Sequence, residues 1–427
     1  MSEHISTNGH KPHGDALTAE PALVRLLGQL DSDGQEITQL RADDMLARIA
    51  WSRIAEPGDA TAGELVRELG PRAALALLVQ GVSATKLRSL AVAAGLERVS
   101  KTASESLKRW LPRLDRSATV ADIERAIATH MRVVLPGDKT WSTPLDDLEM
   151  HAPLMLWVRG DPSLLTTPSL GVVGARSAST YGVDVTAELV SGVCATGITI
   201  VSGAAYGIDA AAHRAALVAA APTIAVLAGG ADRVYPRGHD RLLDTISDSG
   251  LVCSEMVPGA APTKWRFLMR NRLIAAMSQA VLVTEAGVHS GSLNTAGHAA
   301  QLGRAIGAVP GPITSAASAG CHKLIRDYQA TLVTNTRELI ELLSLNDELE
   351  LFGDAHDSDQ RDSAWHKRVI DAVPLRGTRT ATDIARQSGL TPEQTLTVLA
   401  ELELLGKVTR RATLGEAPDA WALTRAQ

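Results

Sequence analysis

The chain has 427 residues, 45% of them hydrophobic and 21% charged, with a formal net charge of −6. That length implies two or three domains with cores of their own, and the composition excludes a chain disordered throughout. The acidic balance offers no bulk attraction for nucleic acid, so any anion-binding face must be a local patch.

Residues 1–19, rich in His, Gly, Ser and Asn, read as a disordered tail; they have no apolar core of the kind a signal peptide carries. Residues 20–130 read as a helical N-terminal domain. Leu23, Leu26 and Leu27, then Met45, Ile49 and Trp51, then Leu75, Leu77 and Leu78 recur at helical spacing. Pro57-Gly58, Gly70-Pro71 and Gly81 cut the pattern into short helices.

The texture changes over 131–343. Short β-branched runs appear at Arg132–Leu135, Leu154–Val158, Leu170–Val173, Thr199–Val201, Thr223–Leu227, Leu251-Val252, Val281–Val283, Ala305–Val309 and Thr331–Val333. Helical stretches such as Tyr181–Cys194 and Asp209–Ala220 lie between them, which predicts a mostly parallel α/β sheet. Residues 344–364 carry seven acids against one arginine and read as a solvated acidic linker. Residues 365–427 restart a fold. Helices over Lys367–Val373, Thr380–Ser388 and from Thr391 onward, then Val408–Ala412 and Ala420–Leu423 as a wing, predict a winged helix. Its third helix carries Glu393, Glu401 and Glu403, which suits protein contact better than a DNA groove.

In parallel α/β sheets ligands sit beyond the carboxyl ends of the strands, so the loops there carry the chemistry. Gly174 opens one such loop. It lets backbone amides approach an anion, with Arg176, Ser177, Ser179 and Thr180 beside a helix start. Ser202, Gly203 and Tyr206 form a second junction, leading to Asp209 and His213. Those two read either as an acid/base pair or as a local hydrogen bond. Glu285 ends a strand and reads as a catalytic carboxylate or as a structural one holding an arginine; Ser290, Gly291 and Ser292 follow as another cradle.

The densest signal is Lys264-Trp265-Arg266-Phe267-Leu268-Met269-Arg270-Asn271-Arg272, four cations and two large aromatics in nine residues. Cations pair with phosphates and aromatic faces stack on bases, a mixture that fits a single nucleic-acid strand. Trp265 and Phe267 are split between stacking and core, with core favoured. Three cysteines without a CxxC pair suggest neither a metal nor a disulfide framework, and no cofactor is expected. No run of about 18 apolar residues predicts a membrane span; the cytoplasm is the expected location.

The motifs taken in order resemble one family. They are Gly174-Ala175-Arg176, Ser202-Gly203 through Gly207-Ile208-Asp209, Tyr235-Pro236, Ser254-Glu255, Arg270-Asn271-Arg272, Glu285 through Ser290-Gly291-Ser292, Val309-Pro310-Gly311, and Gly320-Cys321 through Arg326-Asp327. Eight motifs in order and spacing over about 154–333 resemble the DNA-processing protein A (DprA/Smf) family. The resemblance implies an extended Rossmann-like fold that binds single-stranded DNA in a basic pocket. It implies a non-enzymatic protein that protects incoming strands in natural transformation and loads the RecA recombinase onto them. It also implies a homodimer made through the Rossmann-like domain. Arg176 then matches the phosphate-gripping arginine, Arg270, Asn271 and Arg272 the RNR motif, and Ser290–Ser292 the serine loop, with Lys264 and Arg266 as rim charges. Tyr206 stands where the family usually has arginine, and His322 where it has asparagine. The alternative is an enzyme of the nucleotide phosphoribohydrolase type on the same broad fold, with Glu285 and Asp209 as acids. Its Pro-Gly-Gly-x-Gly-Thr loop is replaced here by Gly287–Ser292.

Overall fold

Capping signals set the first helices of the computed structural model, which describes residues 18–32, 34, 37–351, 359–374, 377–404, 407–411 and 420–424. Helix α1 (Pro21–Leu30) opens on a proline, α2 (Gln39–Ile54) on Thr38, and α3 (Ala60–Leu69) on Asp59, whose carboxylate accepts from Thr61 and Ala62 amides. Helices α4 (Pro71–Val79), α5 (Ala84–Ala93), α6 (Glu97–Trp110) and α7 (Arg116–Ala128) complete the region. They divide between two cores. Trp51 and Trp110, edge to face at 5.4 Å, pack with Leu65, Leu78 and Val99 in a core made within the helices. Leu23, Leu27, Met45 and Ile123 instead share a core with Trp157, Leu227 and Val252 of the sheet.

The sheet has nine strands: β1 (Arg132–Val134), β2 (Leu156–Gly160), β3 (Ser169–Val173), β4 (Thr199–Ser202), β5 (Thr223–Val226), β6 (Leu251–Ser254), β7 (Ala280–Val283), β8 (Ala305–Ala308) and β9 (Thr331–Leu332). Helices α8 (Thr180–Cys194), α9 (Ile208–Val218), α10 (Asp240–Ser249), α11 (Lys264–Met277), α12 (Ser292–Gln301) and α13 (Ala319–Asp327) connect the strands from β3 on, and α14 (Thr336–Leu351) follows. The strand order is β1-β2-β6-β5-β4-β3-β7-β8-β9; β2 is antiparallel to both of its neighbours, β1 and β6, and every other pair is parallel. Strands β3 to β7 are buried along their whole length, which explains their continuous apolar runs. From β3 the chain moves outward through β4, β5 and β6. Helix α11 then carries it back across, so that β7 pairs on the other side of β3. The loops after β3 and β7 therefore diverge and leave a crevice between them.

Residues up to 346 form one compact unit and those from 347 a second. The second contains α15 (Asp359–Ala372), β10 (Arg379–Thr380), α16 (Ala381–Ser388), α17 (Pro392–Leu404), β11 (Val408–Arg411) and β12 (Ala420–Leu423). The three strands pair antiparallel in the order β10-β12-β11, and Val369, Ile384, Leu399, Leu402 and Trp421 fill the core, making a winged helix. Glu393, Leu396, Thr397 and Glu401 stand on the outer face of α17, which carries no Lys or Arg.

Two boundaries differ from the sequence reading. Ala19, assigned to the tail, is buried and its N–H donates to Asp43 at 2.8 Å; residues 1–17 of that tail lie outside the described residues. Within 344–364 the described segments are helical: α14 runs on to Leu351 and α15 begins at Asp359. Leu and Glu are strong helix formers, and the heavy charge of this stretch does not override them. Residues 352–358 lie outside the described residues.

Candidate nucleic-acid interface

The crevice between the loops after β3 and β7 is a cleft of about 1020 Å³. Gly174, Ala175, Arg176 and Ser177 form one lip, and Gly287, Val288, His289, Ser290, Gly291 and Ser292 the other. Lys264, Phe267, Leu268, Asn271 and Ile274 of α11 form the wall between them. These five recur at i, i+3, i+4, i+7 and i+10, one face of a helix. The lining holds three cations, Arg176, Lys264 and Arg270, against the single carboxylate of Asp209.

Gly174 is required by packing, because a Cβ there would fall within 3 Å of the Ile208 side chain and the Glu285 carbonyl. After it the chain turns with the amides of Arg176, Ser177 and Ala178 making no hydrogen bond among the described residues. On the opposite lip the amides of Val288, His289 and Gly291 are likewise uncommitted. Loop amides left open in this way at the start of two helices form anion cradles. The serine loop is braced by a 2.7 Å bond between the Ser290 and Ser292 hydroxyls, and by Asn271, whose side-chain amide donates to the Gly291 carbonyl and to Asn294.

Arg176 is exposed and makes no ion pair or hydrogen bond among the described residues. Its guanidinium centre lies 4.9 Å from the centre of the Phe267 ring. Arg270 approaches the same ring at 5.9 Å, and Tyr235 packs against it at 5.3 Å. Arg270 itself is buried. Its Nη1 donates to the carbonyls of Gly203, at 2.7 Å, and Val226, and thereby ties together the ends of β4 and β5. Gly203 leaves room for this, since a Cβ there would collide with the guanidinium. Burial pushes the Arg270 pKa down to about 10, opposed by the attraction of Asp209, so the group stays charged at neutral pH.

Nine of the fourteen residues expected to bind DNA line this cleft: Gly174, Arg176, Ser177, Lys264, Arg270, Asn271, Ser290, Gly291 and Ser292. Five do not. Arg272 is the clearest correction. It is 2% exposed, makes a two-pronged ion pair with Glu255 at 2.6 and 2.7 Å, and donates to the His151 and Met269 carbonyls. A guanidinium satisfied by a carboxylate and two carbonyls has nothing left for a phosphate. Arg266 turns to the far side of α11, where Glu56 takes it at 2.9 and 2.8 Å. Ser202 is buried and donates to the Val172 carbonyl. Gly203 is buried beneath Arg270. Tyr206 lies beside the cleft rather than in it, packed T-shaped against His239 at 4.8 Å.

Of the two environments open to the aromatic pair, core and stacking, the structure does not give the favoured core. Phe267, favoured for the core, lines the cleft, and Trp265 is 57% exposed. Spacing from Lys264 along α11 would have put Phe267 on the cleft face. Asp209, Tyr235 and His289 line the cleft as well and were not among the expected contacts.

Neither pair considered for catalysis is assembled. Asp209 is buried and accepts from the amides of Gly203 and Ala205; burial raises its pKa despite the nearby Arg270. His213 bonds Thr223 at 2.7 Å instead. The Thr223 hydroxyl already donates to Ile200, so His213 donates through Nδ1 and is neutral. Burial pushes its pKa down to about 3. Glu285 is 3% exposed and accepts from the Ser179 amide at 2.8 Å, a structural carboxylate that holds the start of α8 and no arginine. Among the described residues no cluster of His, Cys, Asp and Glu could hold a metal, and no helix is long and apolar enough to cross a membrane.

A family model described as DNA recombination-mediator protein A matches residues 132–344, and one described as the DprA winged helix domain matches residues 348–412. A Mycobacterium tuberculosis relative that carries the name DNA processing protein DprA is 40% identical over 389 residues, covering 88% of this chain and 94% of the relative. The X-ray structure of DNA processing protein A from Streptococcus pneumoniae is similar over 70% of this chain and 96% of that one, at 30% identity and a TM-score of 0.56. A Helicobacter pylori DNA processing protein A, described for its single-stranded DNA binding mode, is 29% identical over 51% of this chain and 98% of that one, with a TM-score of 0.46.

Proposed function

The chain belongs to the DprA/Smf family of DNA-processing proteins, and from that membership and its cleft we propose that it binds single-stranded DNA between the loops after β3 and β7. The observation that carries this reading is Arg176, a cation without an acidic partner, poised over an aromatic ring between two lips of open amides. Phosphates take the amides of residues 176–178 and those of Val288, His289 and Gly291. Arg176 and Lys264 supply charge at the mouth. Phe267 and Tyr235 offer ring faces to the bases. None of these contacts reads base edges, so binding is strong in charge and weak in sequence preference.

Arg270 acts from below. Its Nη1 is spent on strand ends, and its contribution is the positive field under Phe267 together with the fixed position of the Gly203 loop. The protein does no chemistry of its own in this reading. Glu285 is committed to a helix start, and Asp209 to the amides of the second loop. Its role in the cytoplasm is to coat incoming strands as a homodimer, joined through the Rossmann-like domain, and to pass them to the recombinase RecA.

The test has two halves. Anisotropy titrations with single- and double-stranded oligonucleotides are expected to show tighter single-strand binding that Arg176→Ala weakens; unchanged affinity in that variant sinks the cleft assignment. RecA filament growth on coated strands is then expected to accelerate. Incubation with AMP is expected to release no free base, and released adenine would establish the phosphoribohydrolase alternative.

A further inference from the structure

Tyr206 is half-exposed, and its hydroxyl makes no hydrogen bond among the described residues. Its place is nonetheless fixed. The ring packs T-shaped with His239 at 4.8 Å, and His239 is buried with Nδ1 bonded to the Ala204 carbonyl at 2.9 Å. Gly238 lies against the ring; a Cβ there would stand 3.1 Å from the Tyr206 hydroxyl. Tyr181 differs, since its hydroxyl donates to the Pro310 carbonyl and so helps to hold the fold.

Arg237 precedes Gly238, is exposed, and makes no ion pair or hydrogen bond among the described residues. The nearest acids in sequence are Asp232, which Arg125 holds at 2.8 Å, and Asp240 at the start of α10. Ala205 and Tyr235, the neighbours of this pair in the two loops, both line the cleft. The ledge formed by Tyr206, Gly238 and Arg237 is therefore continuous with the cleft, at the ends of β4 and β5.

Resting on the single-strand reading above, we propose that this ledge is a second subsite for the same strand, taking a nucleotide that extends beyond the cleft. A base stacks on Tyr206, and Arg237 takes the adjoining phosphate. An exposed, packed aromatic ring, with an exposed and unpaired arginine next in sequence to the glycine it packs on, offers the stacking face and the charge that hold single strands without reading sequence. The ring loses little freedom on binding because His239 and Gly238 already orient it.

Oligothymidylates of two lengths separate the ledge from the cleft: about 4 nucleotides, enough for the cleft, and about 16, enough for both. Tyr206→Leu and Arg237→Gln are each expected to weaken the long strand about fivefold or more and to leave the short one within about twofold, while Tyr206→Phe binds both normally. A photoreactive 5-iodouridine at one end of the long strand is expected to cross-link to Tyr206. Equal weakening at both lengths would overturn the ledge by showing that Tyr206 acts through the cleft, and so would full affinity of both variants for the long strand. Arg176→Ala is the control for the underlying reading. If it weakens both lengths while the ledge variants weaken neither, the ledge alone fails; if it weakens neither, the cleft fails.

Discussion

Arginines in the mouth of the cleft and arginines in the middle of α11 are the same residue put to opposite uses. Arg176 has no acid near enough to pair and rests on a ring. Two residues apart on α11, Arg270 and Arg272 are both buried, one bonded to strand carbonyls and the other to Glu255. A cation without a fixed partner can exchange water and counterions for a phosphate. One already enclosed by acceptors instead holds elements in register, and removing it strands a buried charge. The difference is set by what the fold places opposite each side chain and not by residue type.

The comparison breaks most visibly at Arg272. Arg272→Ala leaves the largely enclosed Glu255 without its partner. It is expected to cost about 3–5 kcal/mol of stability, read as a fall of roughly 10 °C in the thermal midpoint. Folded protein of this variant is expected to keep the wild-type salt dependence of DNA binding; a flatter dependence would return Arg272 to the binding face.

A second buried base sharpens the contrast through pH. His213 titrates at about 3 in the folded chain and near 6.5 unfolded. The unfolded chain binds the extra proton between those values, so stability is complete above about pH 6.5 and declines as pH falls towards 3, by up to about 1.4 kcal/mol per unit. Denaturant titrations from pH 7 to 5 are expected to show this slope, and His213→Leu is expected to flatten it. An unchanged slope in that variant would assign the effect to other groups.

At the cleft mouth the effects move from stability to binding. Arg176→Ala is expected to leave the thermal midpoint unchanged, weaken single-strand binding roughly tenfold, and reduce the slope of log K against log salt by about 0.7. Lys264→Ala should show the smallest effect, within about threefold. It is expected in the association rate and at low salt only, because an exposed cation steers through screened water.

The architecture was legible because buried parallel strands are apolar along their length and turn residues separate them from helical stretches. The cleft lips were legible too, since glycine and serine after a strand have few other reasons to cluster. The wall was only half legible. Arg270, Asn271 and Arg272 are consecutive, yet a helix turns about 100° per residue and sends three neighbours to three environments. Reading Lys264, Phe267, Leu268 and Asn271 as one face finds the wall. Nothing local reveals that Glu56 and Glu255, distant in sequence from their partners, claim Arg266 and Arg272. The Asp209–His213 spacing misled because His213 turns to Thr223 on β5 and Asp209 to the amides of the preceding loop.

The split of the N-terminal helices between two cores gives the chain a timetable. As it leaves the ribosome, Trp51, Leu65, Leu78 and Trp110 can close on one another before any strand exists. Leu27, Leu30, Met45 and Leu46 can meet one another but stay uncovered, because their sheet partners Trp157, Leu227 and Val252 are still to be synthesised. Roughly a hundred further residues must emerge before that face is covered. The helices therefore emerge first and finish last, and the interval is when a newborn chain is open to capture by chaperones or by its neighbours.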